Sequence, residues 1–168
     1  MPVTSVFISS TSADLREHRA AVRESLLHAG YHPIDMADFM ARAEGATTAC
    51  LNEVAESDLF VGIYAWRYGF MPPDSKISIT EQEFEEARLL EKPCFCFMVE
   101  EGYDWPVQFK EEGKGAELLK KFKARLDATL VRTTFTTPDS LARKVLSSLA
   151  RWDDRQRAGR ARDRVRSG

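Results

Sequence analysis

Apolar and polar positions along the 168 residues fall into blocks whose period switches between that of a strand and that of a helix. Val3-Thr4-Ser5-Val6-Phe7-Ile8 is a short β-rich run that stops at Ser9-Ser10-Thr11-Ser12. Leu15, Val22, Leu26 and Ala29 then recur at helical spacing, with Arg16, Glu17, Arg19, Arg23 and Glu24 on the other side. Thr11 or Ser12 is the expected N-cap of this helix, which should run to about His28 and end at Gly30. Tyr31-His32-Pro33-Ile34 reads as a second strand, and its proline suits a sheet edge. Residues 35–45 read as a loop, and a helix over about 46–56 turns Ala49, Cys50, Val54 and Ala55 inward.

Leu59–Tyr64 and Cys94–Val99 are continuous apolar runs, as expected of central parallel strands covered on both faces. Between them a turn-rich stretch over 65–77 leads into a helix over about 79–91. A loop over 100–114, a helix over about 116–128 and a strand over 129–134 follow, and Thr137-Pro138 opens the last helix. Strict β-α alternation, five times over, demands parallel strands joined by right-handed crossovers. The expected fold is therefore α/β and three-layered, a five-stranded parallel sheet in the order 2-1-3-4-5. Ligands bind such sheets beyond the carboxyl ends of the strands, near the switch between strands one and three. That brings Ser9, Ser10 and Thr11 beside the 65–77 stretch.

One polar residue falls on the wrong side of this pattern. At 100° per residue from Ile79, Glu83 lies at about 40°, inside the stripe of Leu90 and Ala87, while Glu81 and Glu85 lie at about 200° and 240°. A carboxylate against a core-facing stripe is paired, protonated or functional, because burying it bare is costly. Capping offers a second explanation. Thr80-Glu81-Gln82-Glu83 fits a capping box that would fold Glu83 back, whereas Ser78-Ile79-Thr80-Glu81 fits one that would leave Glu83 free. Ser9, Ser10 and Thr11 offer hydroxyls to an anion or a ribose, or serve only as a helix cap. Trp66 and Tyr68 can stack on a base and Arg67 can pair with phosphate or with Glu83, or the three can plug the sheet end.

Composition narrows the field further. With 43% hydrophobic and 30% charged residues the balance is that of a globular domain. No run of eighteen apolar residues exists to span a membrane, and the N-terminus lacks the form of a secretory signal, so a cytoplasmic location is expected. Cys50, Cys94 and Cys96 are odd in number, and neighbours i and i+2 on a strand cannot close a normal disulfide. His18, His28 and His32 lack metal-ligand spacing, and no metal is expected. Residues 151–168 hold seven arginines against three aspartates, a net of +4, which leaves −6 on residues 1–150. An acidic body argues against nucleic acid as the partner. The chain thus divides into a domain over 1–150 and a basic linker or helix extension over 151–168, directed toward a further C-terminal module.

Five stretches carry a resemblance: 6–16, Glu53 through Asp58, 61–69, 78–87, and Lys92-Pro93. Together they resemble a TIR-like domain family, long catalogued as a domain of unknown function. Its members stand ahead of NACHT or other STAND ATPase modules and tetratricopeptide repeats in bacterial conflict proteins. The resemblance implies a flavodoxin-like fold, self-association on activation and, in many TIR domains, cleavage of NAD at the nicotinamide bond. NAD would be a substrate, and no cofactor is implied. The family's catalytic glutamate, in a pattern like Glu-apolar-x-x-Ala, corresponds to Glu83 in Glu83-Phe84-Glu85-Glu86-Ala87. Ser9, Ser10, Thr11, Trp66, Arg67, Tyr68 and Ser78 would form the substrate site around it. Ile79 and Thr80 stand where the family usually carries a tryptophan or cysteine, which leaves a purely scaffolding role open. A nucleoside deoxyribosyltransferase-like enzyme shares the general fold and a catalytic glutamate and is a third possibility.

Overall fold

The computed structural model describes residues 2–36 and 46–168; the loop expected over 35–45 lies, from residue 37 on, outside the described residues. Its elements run β1 (Ser5–Ser9), α1 (Arg16–His28), β2 (His32–Asp35), α2 (Ala46–Glu56), β3 (Leu59–Tyr64) and α3 (Ile79–Leu89). Then come β4 (Cys94–Val99), a 3-10 turn (Val107–Phe109), α4 (Lys114–Thr129), β5 (Thr133–Phe135) and α5 (Pro138–Arg166). All four strand pairings are parallel, in the order β2-β1-β3-β4-β5. Ile8 pairs with Asp35 on one side and Val61 on the other, and Ser9 reaches Gly62.

Alternation along each strand sends side chains to two separate cores. Val6, Ile8, Val61 and Ile63 join Leu15, Val22 and Leu26 of α1 and Leu141, Val145 and Leu149 of α5 on one face. Phe7, Phe60, Tyr64, Cys96 and Met98 face the other way, against Phe84 of α3 and Leu119, Phe122 and Leu126 of α4. Phe60, Phe84 and Phe122 form a chain of rings with centroids 6.2 and 5.7 Å apart. Each face buries enough apolar surface to explain why β3 and β4 read as unbroken apolar runs.

Three boundaries differ from the sequence reading. Neither Thr11 nor Ser12 caps α1: residues 12–15 form bends and the helix starts at Arg16, with fully buried Leu15 at the N-cap and no side-chain cap bond. Anchoring Leu15 in the core takes precedence over capping. Ala29, expected inward, is exposed, whereas Arg19, assigned to the polar side, is 4% exposed. At the other end of the sheet α4 continues to Thr129, held by buried Leu126, so β5 begins only at Thr133. α5 runs unbroken to Arg166; Trp152 packs on the core and the Tyr31 hydroxyl donates to the Asp153 carboxylate, while every residue from 160 on is exposed. Gly30, at φ +87°, closes α1 as expected, in a conformation that favours glycine.

No helix among the described residues is long and apolar enough to cross a membrane.

Candidate functional site

The candidate site is a cleft of about 140 Å³ at the carboxyl ends of β1 and β3. Its polar wall is Ser10, Thr11, Ser12, Arg19, Arg67, Thr80 and Glu83; its apolar wall is Ile8, Met36, Phe70 and Ile79. Glu83 enters it from the second turn of α3 and is 6% exposed, on the inward phase that its helical position predicts. Its Oε1 accepts a hydrogen bond from the Ser9 hydroxyl, 2.9 Å away at the end of β1. Burial pushes the Glu83 carboxyl up to about 8. The Ser9 hydroxyl and the Arg19 guanidinium pull against that shift, and the Asp35 carboxylate adds to it. Below that pH the carboxyl is neutral, the form that a low-dielectric site favours.

The capping alternatives are resolved by Ser78. Its hydroxyl accepts from the Glu81 backbone N–H at 3.2 Å, so Ser78 is the N-cap of α3 and Glu83 is free of capping. Glu81 does not return the bond. It is 4% exposed rather than on the solvent side, and its carboxylate accepts from the Tyr68 hydroxyl and pairs with Arg125 of α4. Arg125 also reaches Glu85. Ser78 is fully buried beneath the helix start and does not line the cleft.

Only part of the stretch after β3 faces the cleft. Arg67 does, and its side chain makes no hydrogen bond or ion pair among the described residues. Tyr68 is buried beneath α3, its backbone N–H donating to Glu111 Oε2 at 2.6 Å. Trp66 packs on the core, with the ammonium groups of Lys110 and Lys123 at 5.7 and 4.4 Å from its ring centroid. The aromatic pair expected to stack on a ligand is thus outside the cleft. At Gly69, φ +98°, a Cβ would stand 3.1 Å from Thr80 Oγ1 and 3.2 Å from Thr11 Cγ2, a close approach that favours glycine. The aromatic at the cleft is Phe70, 68% exposed.

Three contributors escaped the sequence reading: Arg19, Phe70 and Asp14. Arg19 donates from Nη1 to the Ser10 carbonyl at 3.1 Å and to its hydroxyl at 2.5 Å, and from Nη2 to the Asp35 carboxylate. Ser10 in turn donates to the Thr11 carbonyl at 2.8 Å. This lattice clamps the β1 loop to α1 and β2. Asp14, 8% exposed in the same loop, has its carboxyl pushed up by burial, against the Thr11 hydroxyl, its own backbone N–H and the charges of Arg67 and His18. The signal for Arg19 was its position three residues before Val22, beside the apolar stripe rather than opposite it.

A doubly wound five-stranded parallel sheet whose cleft lies at the β1–β3 switch, with a buried glutamate from the helix before β4, makes this a flavodoxin-like α/β domain. The chain belongs to the family described as Domain of unknown function (DUF4062), which it matches over residues 5–150. It is also similar to Telomerase protein component 1 of Mus musculus, 35% identical over 82 aligned residues. That alignment takes in 40% of this chain and only 3% of the length of the mouse protein. In fold it matches the TIR domains of the activated Roq1 resistosome, which directly recognizes the pathogen effector XopQ. The TM-score is 0.57 at 16% identity, covering 87% of this chain and 99% of that one.

Proposed function

We propose that this domain cleaves the nicotinamide N-glycosidic bond of NAD when copies of it cluster, in a cytoplasmic defence or signalling protein that continues into an ATPase or repeat module. The C1′–N bond breaks and its electron pair leaves with nicotinamide. Water supplies the oxygen that bonds to C1′, and a proton is released, giving ADP-ribose. The transition state resembles an oxocarbenium ion, which a nearby carboxylate stabilises. Glu83 as its carboxylate takes that role, with Ser9 orienting it and Phe70 covering the ligand's ring. Ser10, Thr11 and Arg67 meet hydroxyls or phosphates. The observation that carries this reading is a buried carboxyl with one neutral hydroxyl as its hydrogen-bond partner, aimed into a cleft at the carboxyl edge of the sheet.

A second observation favours a different role. The cleft encloses about 140 Å³, whereas sites for ligands of drug size measure roughly 300–1,000 Å³. A domain whose cleft never widens would act as a non-enzymatic adaptor that signals by self-association. Nicotinamide release from NAD by the purified chain, clustered on a multivalent scaffold, separates the two. Cleavage that falls at least about 100-fold in a folded Glu83→Gln chain is expected, the usual scale for losing a transition-state electrostatic partner. Equal cleavage by both chains removes Glu83 from the chemistry. Self-association without cleavage at any concentration leaves the adaptor.

A further inference from the structure

The β5 edge of the sheet is closed along only part of β4. β5 has three residues, and its register with β4 runs Phe97↔Thr133, Met98↔Thr134 and Val99↔Phe135. Cys94 and Phe95 pair with Phe60 and Val61 of β3 on one side and, on the other, with no strand among the described residues. Burial follows the pairing. Phe97, Met98 and Val99 are buried, whereas Cys94 and Phe95 are half-buried in the same apolar run. Alternate residues of a parallel strand turn their backbone groups to opposite neighbours. The Phe60 N–H donates to the Pro93 carbonyl at 3.0 Å, so Pro93 and Phe95 face β3, and the N–H and C=O of Cys94 point to the open side. Unpaired groups of this kind are a template for a further strand.

A groove of about 640 Å³ runs along this stretch, lined by Cys94 and Phe95, by Leu130 and Val131 before β5, and by Arg151 and Arg155 of α5. Val131 is 91% exposed, an apolar side chain left in solvent at the mouth of an open edge. At 100° per residue from Arg151, Arg155, Arg162 and Arg166 lie at about 40°, 20° and 60°, one stripe that spans about 22 Å of α5. The ion pairs of the described residues take none of the four, and Asp154 at the groove offsets one charge. An edge that accepts a strand, beside a row of free guanidinium groups, fits a polypeptide that is extended and acidic. A second copy fits poorly: edge-to-edge pairing about a twofold axis would set two arginine rows against each other. Nucleic acid has no ladder of N–H and C=O groups with which to continue a sheet. We propose that an extended acidic segment of a partner protein, about ten residues long, pairs as a strand with Cys94 and Phe95 and sets its carboxylates against the arginine stripe. This groove lies at the amino half of β4, and the proposal does not depend on the reading of the cleft at the carboxyl ends of β1 and β3.

The probe is a fluorescent synthetic peptide in which alternating valines and threonines stand between two short runs of glutamate, titrated into the natural chain and followed by anisotropy. Binding is expected, and it should weaken as salt is raised. N-methylation of the valine and threonine amides, which removes the backbone donors and leaves every charge, should weaken it by about tenfold. Arg151→Glu combined with Arg155→Glu should weaken it by at least about tenfold. Amide hydrogen exchange gives the location: bound peptide should slow exchange at Cys94, whose N–H faces the open side, and leave Phe95, whose N–H faces β3, unchanged. The N-methylated peptide needs no altered protein, so the test survives a charge-reversed chain that does not fold. Absence of binding to the natural chain overturns the proposal. Equal binding of the N-methylated peptide overturns it as well, since attraction of charge alone would then suffice. Tighter binding of an oligothymidine than of the peptide would give the stripe to nucleic acid. Protection of Cys94 that rises with protein concentration in the absence of peptide would give the edge to a second copy; either result removes the acidic segment.

Discussion

Glu81 and Glu83 stand two residues apart on α3, are both almost wholly buried, and live in opposite electrostatic worlds. On the α4 side, Glu81 receives the Tyr68 hydroxyl and the Arg125 guanidinium, and α3 is tied to α4 and to the end of β3. On the cleft side, Glu83 accepts from the Ser9 hydroxyl at 2.9 Å, while the Arg19 cation is committed elsewhere. The first arrangement is what a protein does with a buried carboxylate that serves the fold. The second leaves the carboxyl poorly compensated, with its pKa near 8, which is how sites keep an acid group ready for chemistry. Burial alone does not separate the two roles; the partners do.

The contrast is sharpest when pH is varied. Glu83 has its proton removed near pH 4.5 in the unfolded chain and near pH 8 in the folded one. The folded state therefore carries no penalty below the lower value, an increasing one between the two, and a constant one above pH 8. The stability of Glu83→Gln relative to the natural chain should thus grow by about 1.4 kcal/mol per pH unit from pH 5 to 8 and then level. Denaturant titrations of both chains at pH 5, 6, 7 and 8 measure this, and taking the difference removes the lysines and cysteines common to both. A difference independent of pH would show that Glu83 is ionised throughout.

The same substitution at the neighbouring site should have the opposite sign. Glu81→Gln weakens a charged acceptor that a buried tyrosine hydroxyl depends on, and is expected to cost about 1–2 kcal/mol, with Arg125 discounted because its side chain is 51% exposed. Thermal melts at pH 8 should place Glu81→Gln below the natural chain and Glu83→Gln above it. Matching shifts would erase the distinction between the two carboxylates.

A smaller effect tests how far the domain extends. Trp152 and Asp153 dock on the body of the domain, whereas residues from 160 on are exposed. Truncation after residue 157 should leave Tm unchanged, and truncation after 150 should cost about 1 kcal/mol, roughly 3 °C for a domain of this size. Equal melting of both forms would mean that the docked turn adds nothing.

Much of this was legible in the chain itself, for identifiable reasons. Leu59–Tyr64 and Cys94–Val99 are flanked by cores on both faces, so their apolar runs carry the strand assignment and with it the sheet order. Glu83 was legible because its phase on α3 is a local property. Glu81 was not: the residues that bury it, Tyr68 and Arg125, lie 13 and 44 positions away and the helix phase knows nothing of them. Arg19 was misassigned for the same reason, its partner Asp35 being on β2. Trp66 and Tyr68 suggested a stacking pair because neighbours in sequence were taken as neighbours in the cleft. Instead Tyr68 is drawn to Glu81 and Trp66 packs on the core, and exposed Phe70 lines the cleft with Glu83.

The most direct test of Glu83 as the catalytic group is the pH dependence of kcat/KM for NAD cleavage by the clustered chain, which reports groups in the free enzyme. A carboxylate that stabilises an oxocarbenium must be ionised, and Glu83 ionises near pH 8. The expected profile therefore climbs about tenfold per pH unit from pH 6 toward 8 and then levels. A profile that is flat across that range, or that falls with rising pH, would contradict the assignment of the Glu83 carboxylate to the reacting sugar.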